Sequence, residues 1–192
     1  MLSEFKKYLS EYLGLPDEEI QSILSSAIPR KLRRNELLLQ AGDVCRHKVF
    51  IVSGILRTYS IGVNGNEHIV QFSSEKEWTL DIESYDLEIP SIVNIAAVEP
   101  TEAVLWKKND FNALLASLPL LKKYSEQLIS RKIYENRQRL LTAISATPEE
   151  KYDDFIRNNP HLIARLPLHM IAAYLGISLK TLTRIRHAQL YR

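Results

Sequence analysis

The sequence is poor in the residues on which several classes of protein depend. Its 192 residues include one cysteine, Cys45, which excludes an internal disulfide and leaves too few thiols for a four-cysteine iron–sulfur cluster or a cysteine zinc site. There is no apolar run of about 18 residues, the length that spans a bilayer, and no recognisable secretory signal. We therefore expect a cytoplasmic protein with no membrane-spanning segment.

Signatures of common enzyme classes are missing as well. The sequence has no glycine-rich phosphate loop, no G-x-S-x-G elbow and no paired catalytic carboxylates. Only His47 and His68 fall in the region that predicts strands, and they lack the H-x-H spacing of a metal site built on strands. We predict that the protein is not an enzyme and holds no cofactor. A metal-dependent enzyme of the cupin type is the alternative, which metal analysis would detect.

Charge is unevenly distributed along the chain. Residues 1–118 carry 12 Lys and Arg against 17 Asp and Glu, and residues 119–192 carry 13 against 6, so net charges of −5 and +7 underlie the total of +2. Neutralisation of phosphates supplies most of the non-specific affinity of proteins for DNA. The pattern therefore indicates that the C-terminal part of the chain meets a polyanion.

The first 118 residues predict two helices followed by many short strands. Apolar residues recur at helical spacing as far as Gly14, and Pro16 opens a second helix. From Arg30 onward, short apolar runs alternate with turn residues, and Val63–Asn66 is a strong hairpin signal. Short strands at this regular spacing favour a β jelly roll.

A long helix is predicted after the strands. Residues 120–145 contain no proline or glycine, and a helix of that length extends about 39 Å, too far for one small domain to cover. A mostly solvated linker is one interpretation of such a helix. The apolar positions are Leu121, Tyr124, Leu128, Leu140, Leu141 and Ile144. Thr147–Glu150 then has the pattern of a capped start of a further helix.

The segment from Leu168 to His187 predicts two short helices joined by a tight turn. Gly176 suits the left-handed conformation that ends a helix, and Ser178 can accept hydrogen bonds from the free N–H groups that begin the next one. Leu182 and Ile185 are spaced to face inward. The outer face then carries Lys180, Thr181, Arg184 and His187, whose side chains could enter a major groove.

This segment resembles the C-terminal end of the Crp/Fnr superfamily of bacterial transcription regulators, in which a glycine turn precedes the pattern S-x-x-T-(V/L)-x-R-(I/L). The matching residues are Ser178, Thr181, Leu182, Arg184 and Ile185. Four upstream segments resemble the cyclic-nucleotide-binding-like domain of the same superfamily, in the same order. They are Gly42–Asp43, Phe50–Arg57, Asn64–Glu67 and Phe111–Pro119.

The resemblance implies an α+β fold with three parts. Residues 1–118 would form a cyclic-nucleotide-binding-like sensor domain, an N-terminal β jelly roll with flanking helices. Residues 119–146 would form a long connecting and dimerisation helix. Residues 147–192 would form an all-α helix-turn-helix domain that binds DNA. Its wing would be truncated, because the sequence ends soon after the second helix of the pair.

The resemblance also implies a function and a set of contacts. A homodimer would bind double-stranded DNA at a pseudo-palindromic operator and regulate transcription, with RNA polymerase as a further partner. Ser178 would hold phosphate, Lys180, Thr181 and Arg184 would read base edges, and Arg186 and His187 would contact the backbone. The superfamily often has Arg and Glu where this chain has Leu179 and Lys180, so we expect a different preferred DNA sequence. An interaction protein with a vestigial helix pair is the alternative.

The family's signature for binding a cyclic nucleotide is absent. By ungapped count, its Gly-Glu pair falls on Leu80 and Asp81 and its Arg-Ser pair on Ser91 and Ile92, and no Lys or Arg lies between Glu77 and Trp106. An anionic phosphate needs a charge-assisted donor, so cyclic AMP is not expected in the usual mode. A neutral or apolar small-molecule effector near Trp78 and Tyr85, a pocket filled by side chains, and a basic group arriving from elsewhere remain open. The positions of the long helix that resemble ligand contacts are Asn136 and Arg137.

Overall fold

The computed structural model describes residues 1–190, and of Leu190 the backbone only; residues 191–192, the end of the predicted DNA-binding domain, lie outside the described residues. The helices are α1 Leu2–Leu13, α2 Asp17–Ser25, α3 Ile82–Leu87, α4 Lys108–Ser117, α5 Pro119–Ser145, α6 Pro148–Asn158, α7 Leu168–Leu175 and α8 Leu179–Leu190. The strands are β1 Ile28–Leu32, β2 Leu37–Leu39, β3 His47–Ser53, β4 Leu56–Ile61, β5 Glu67–Ser73, β6 Trp78–Thr79, β7 Asn94–Ala97 and β8 Thr101–Lys107.

The strands form two four-stranded sheets. Their strand orders are β1-β8-β3-β6 and β2-β7-β4-β5, and the pairs β1–β8, β3–β8, β3–β6, β2–β7 and β4–β7 are all antiparallel. Ile51 from the first sheet shares a buried cluster with Leu56 and Ile95 from the second, so the apolar core lies between the sheets. The predicted fold class is confirmed.

The predicted hairpin joins β4 to β5. The Gly62 N–H donates to the Asn66 carbonyl over 2.9 Å, and the Asn66 N–H donates to the Asn64 side-chain oxygen over 3.1 Å. Gly65 has φ 80°, a left-handed backbone conformation that glycine adopts without strain. The sequence Asn-Gly-Asn therefore forms the turn that its pattern predicted.

A second core packs helices against the outer side of the first sheet. Phe5 and Tyr8 of α1 contact Phe50 of β3, with ring centroids 4.6 Å apart in both pairs. Trp106 of β8 is fully buried, and its indole N–H donates to the Ile23 carbonyl over 2.9 Å. This aromatic cluster fixes α1 and α2 on the sheet because large rings supply much of the apolar area that folding buries.

The chain divides into two compact units, residues 1–60 with 71–128 and residues 61–70 with 129–192. These limits differ from the three predicted parts in that the hairpin tip groups with the C-terminal helices. Within this second unit, the Arg139 guanidinium donates to the carbonyls of Ile69 and Val70, and to the Tyr174 carbonyl over 3.2 Å. No sequence pattern predicts bonds between residues so far apart in the chain.

Candidate nucleic-acid interface

The turn of the predicted helix-turn-helix has the expected local geometry. Gly176 ends α7 with φ 67° and ψ 32°, and its N–H donates to the carbonyl of Ala172. The Ser178 hydroxyl accepts a hydrogen bond from the Thr181 N–H over 3.0 Å and lies 2.8 Å from the Thr181 hydroxyl. A left-handed residue followed by a hydroxyl cap lets the chain stop one helix and begin another within three residues.

Inward-facing side chains hold the two helices together. Leu182 and Ile185 of α8 are 0% and 3% exposed, as their spacing predicted, and the leading helix buries Met170, Ile171, Ala172 and Leu175. Helix α6 contributes Tyr152 and Phe155 to the buried residues. The rigid packing of three helices therefore determines which face of α8 remains exposed.

Helix α6 begins with the predicted cap. The Thr147 N–H donates to the Glu150 carboxylate over 2.8 Å, and the Glu150 N–H donates to the Thr147 hydroxyl over 3.3 Å. These bonds, first the one from the Thr147 N–H and then the one from its hydroxyl, lower the pKa of Glu150 below its ordinary value. The reciprocal bonds fix the first turn of α6, which lies beside α8, the second helix of the predicted helix-turn-helix.

The exposed face of α8 carries part of the predicted set of DNA-binding residues. Lys180, Arg184 and His187 line one open depression together with Leu179 and Thr183, neither of which was predicted to contact DNA. Their positions share one face because residues three and four apart are neighbours on a helix. Thr183 could have been found from this spacing, since it stands three residues after Lys180 and four before His187.

The other predicted contacts lie elsewhere. Ser178 is exposed but uses its hydroxyl in the cap, and Thr181 is half-buried and bonded to that hydroxyl. Arg186 is exposed, but it is not among the residues that line the depression. None of these placements tests the predicted contacts, which stay predictions.

Electrostatics favour an anionic partner for this face. Asp154 is the last acidic residue of the chain, and residues 155–192 contain six Lys and Arg. Two carboxylates of α6 nevertheless reach α8: Glu149 Oε1 lies 3.1 Å from Arg184 Nη2, and Asp153 Oδ1 accepts a hydrogen bond from the Gln189 amide over 2.6 Å. The outer face of α8 thus carries several cationic groups, and a carboxylate of α6 contacts one of them, Arg184.

The long helix exposes an apolar stripe. Its first part is covered, because Leu121 is buried and the Tyr124 hydroxyl contacts that of Tyr8. Beyond it the exposed fractions of large apolar side chains are high, at 50% for Ile129, 60% for Ile133 and 60% for Leu140. The predicted apolar set omitted Ile129 and Ile133, although both are evident in the sequence. Ile129, Ile133, Asn136, Leu140 and Ala143 alternate at spacings of four and three, the pattern of a pairing helix.

The positions predicted for an effector have different surroundings within their own units. Trp78 packs in the aromatic core with its ring centroid 5.2 Å from that of Phe50, and Asp81 precedes α3 as its N-cap residue. The buried Ser91 hydroxyl bonds to the Val93 backbone over 2.8 Å, and Ile92 is 77% exposed. Asn136 and Arg137 are exposed on α5.

Leu80, by contrast, lines a pocket of about 460 Å³ in the first unit. Its other lining residues are mainly aliphatic: Leu38, Leu39, Val44, Val49, Ile95 and Leu105, with Gly42, Asp43, Cys45, Arg46 and His47. Burial raises the pKa of the Cys45 thiol, so it stays protonated at neutral pH. Burial, Lys107 and Arg46 lower the pKa of His47, which favours its neutral form. Seven of the twelve lining residues are thus aliphatic, and the pocket also presents the charged side chains of Asp43 and Arg46.

Tyr85 packs in the same cluster as Leu39, Cys45 and Ile95. Its hydroxyl is buried with no hydrogen-bond partner within the described part of the chain, and burial, more than the nearby Cys45 and Asp86, raises its pKa to about 12.

Two structural findings bear on the alternatives. Among residues 1–190 no group of three His, Cys, Asp or Glu could hold a metal ion. The convergent ligands that a cupin-type site needs are therefore not brought together in that part of the chain. No described helix combines the length and apolarity needed to cross a membrane.

A β roll of the cyclic-nucleotide-binding type, followed by a long helix and a helix-turn-helix, defines a class of sensor-linked regulators. Residues 29–117 match the family described as the cyclic nucleotide-binding domain. The transcriptional activator protein FnrA of Stutzerimonas stutzeri is 27% identical over 167 residues, which cover 81% of this chain and 68% of that protein. The cyclic AMP receptor protein of Thermus thermophilus is 25% identical over 179 residues, which cover 91% and 82%.

Solved structures share the fold. FixK2 from Bradyrhizobium japonicum aligns with a TM-score of 0.74 at 17% identity, over 86% of this chain and 84% of that one. The chain is therefore similar to regulators of the Crp/Fnr type in sequence and in fold.

Proposed function

We propose that this protein is a sequence-specific DNA-binding regulator of transcription. The observation that carries the proposal is the exposed face of α8, where Lys180, Arg184 and His187 lie together while Leu182 and Ile185 of the same helix are buried. A helix held in this way can enter a major groove and present cationic and hydroxyl groups to base edges. Its relatives named as transcriptional activators support the same role.

The protein binds its operator as a homodimer joined along α5. The support is the exposed stripe from Ile129 to Ala143, whose large apolar members would each be buried by a second copy of the same helix. Two recognition helices related by twofold symmetry then fall about one DNA turn apart, roughly 34 Å. The operator is therefore a pseudo-palindrome, and RNA polymerase is the partner through which transcription would be regulated.

The effector is a neutral or apolar small molecule rather than a cyclic nucleotide held in the usual mode. The segment between Glu77 and Trp106 supplies no Lys or Arg for a phosphate, and the pocket that contains Leu80 is lined mainly by aliphatic side chains. Apolar pockets of this size bind ligands mainly by burying their surface. Cyclic AMP should accordingly leave the thermal midpoint of unfolding unchanged, and a rise that saturates with its concentration would contradict this part of the proposal.

Selection of bound fragments from random duplex DNA tests the proposed function directly. The full chain is incubated at physiological salt with a randomised duplex, and bound fragments are sequenced after several rounds. We expect an inverted repeat. A matched selection with Lys180→Ala should change the enriched bases without removing the symmetry. Failure of the wild-type chain to enrich any sequence would overturn the proposal.

A further inference from the structure

One acidic side chain contacts the central cation of the recognition face. Glu149 Oε1 lies 3.1 Å from Arg184 Nη2, although the two residues are 35 positions apart in the chain. Both side chains remain accessible, at 49% and 70% exposed. An exposed ion pair of this kind contributes little to folding stability. The ion pair therefore acts on how Arg184 binds DNA more than on folding stability.

The carboxylate is itself held in place. Glu149 stands in the first turn of α6, between Pro148 and Glu150, and Glu150 forms the reciprocal bonds with Thr147 that fix this turn. The anchor of the ion pair is therefore a rigid helix start, while Arg184 extends from a separate helix. A fixed carboxylate restricts the positions that a long guanidinium side chain can take.

The contact leaves most of the guanidinium available. A guanidinium has five N–H donors in a fixed fork, and one terminal nitrogen of Arg184 makes the contact with Glu149. An arginine that is already ordered loses less conformational entropy when it forms a bidentate bond to a base. At the same time, a negative charge beside the DNA-facing surface repels every phosphate, whatever the sequence.

Resting on the proposed function, we infer that Glu149 determines specificity by positioning Arg184. It orients the guanidinium toward one base edge, and it lowers the affinity for DNA in general. Both effects raise the ratio of specific to non-specific binding. Glu149 is thus a positioning residue that acts through Arg184 and need not contact a base itself.

The test compares Glu149→Gln with the wild-type full chain on the selected operator, on the operator altered at the base pair that Arg184 reads, and on unrelated duplex. We expect affinity for unrelated duplex to rise about two- to fivefold, since one repulsive charge is removed. Discrimination between the operator and its altered form should fall about two- to tenfold, since Arg184 is no longer ordered in advance.

Asp153→Asn is the matched control. Asp153 lies on the same helix and carries the same charge, but its carboxylate accepts from Gln189 instead of contacting Arg184. This variant should raise the affinity for unrelated duplex and leave the discrimination at the Arg184 base pair unchanged. In an Arg184→Met background, Glu149→Gln should no longer alter that discrimination.

Two results would overturn the inference. One is an equal loss of discrimination in Glu149→Gln and Asp153→Asn, and the other is an effect of Glu149→Gln that persists in the Arg184→Met background. Circular dichroism melts of each variant establish that the proteins compared are folded. Failure of the proposed function would look different, because the wild-type chain would then enrich no DNA sequence at all.

Discussion

Arg184 is the residue on which base recognition depends most in the proposed complex. It lies at the centre of the exposed face of α8, four residues after Lys180 and three before His187. A bidentate contact from arginine to guanine is the commonest specific contact in a major groove.

Replacing Arg184 with alanine should cost about 1–3 kcal/mol of binding free energy on the selected operator and relax the preference at one base pair. Equilibrium binding to the operator and to its three variants at that position measures both effects. Lys123→Ala, which removes an exposed cation from α5 far along the chain, is the control and should preserve the base preference. An unchanged base preference in Arg184→Ala would remove this residue from the reading surface.

Gly176 should matter for a reason that is conformational. Its φ of 67° is strained for any residue with a Cβ. A Cβ at this position would have no neighbouring atom within 4 Å, so backbone strain alone determines the change in stability. We expect Gly176→Ala to lower the free energy of unfolding by about 1–2 kcal/mol, as measured by urea denaturation. Gly14→Ala is a close match, with φ 64° and equally open space. Both variants should be destabilised, and only Gly176→Ala should weaken DNA binding.

At the scale of single elements, helix ends were the features most readily predicted from sequence. The cap at Thr147 and the glycine that ends α7 are local, because every partner lies within about one helical turn of the chain. The hairpin at Asn64–Asn66 is local for the same reason. Such features need no knowledge of tertiary structure, which is why the structure agrees with them.

Contacts between distant parts of the chain could not be predicted in this way. The pair Glu149–Arg184 and the packing of Trp78 against Phe50 depend on how helices and strands assemble. The sequence offers Trp78 as a neighbour of a possible effector, and its place in the aromatic core is visible only in the structure. Ile129 and Ile133 differ from these contacts, because their spacing of four residues along the long helix is local and can be read from the sequence.

The cap of α6 should make stability depend on pH. Hydrogen bonds lower the pKa of Glu150 in the folded protein, so its contribution is complete above the ordinary glutamate pKa of 4.5 and is lost as pH falls through the lower folded value. We expect the free energy of unfolding to decrease on acidification below that point. Glu150→Gln cannot titrate and should show a shallower decrease in urea denaturation series. Identical slopes in the two proteins would contradict a role for this carboxylate.

The exposed stripe of α5 gives a prediction about assembly. Ile133 is 60% exposed, and an aspartate at this position would place two charges in the proposed interface. Ile133→Asp should therefore shift the protein from dimer to monomer in sedimentation equilibrium at micromolar concentration. Gln138→Asp adds the same charge at an exposed position outside the stripe and should leave the dimer intact. A monomeric wild-type protein would contradict the proposed pairing.

At the scale of the whole molecule, the two parts of the chain carry opposite net charges. The acidic first 118 residues would repel a polyanion and the basic remainder would attract it, so in the proposed complex the DNA meets the C-terminal part of each chain. Added salt should weaken binding steeply in proportion to the phosphates that are neutralised. This attraction alone carries no sequence information, and specificity must come from where the two recognition helices fall along the duplex.

The spacing between half-sites is therefore the sharpest test of the assembled molecule. Inserting five base pairs, about half a helical turn, rotates one half-site to the opposite side of the duplex, and a rigid twofold dimer can then engage only one. Affinity should fall toward that of a single half-site and stay there when ten base pairs are inserted, because the half-sites then face the same side of the duplex but lie about 34 Å farther apart. Ile133→Asp should bind all three spacings with the same weak affinity, because a monomer cannot sense the separation. Equal binding of the wild-type chain to all three would mean that its copies recognise DNA independently, and the homodimer along α5 would have to be abandoned.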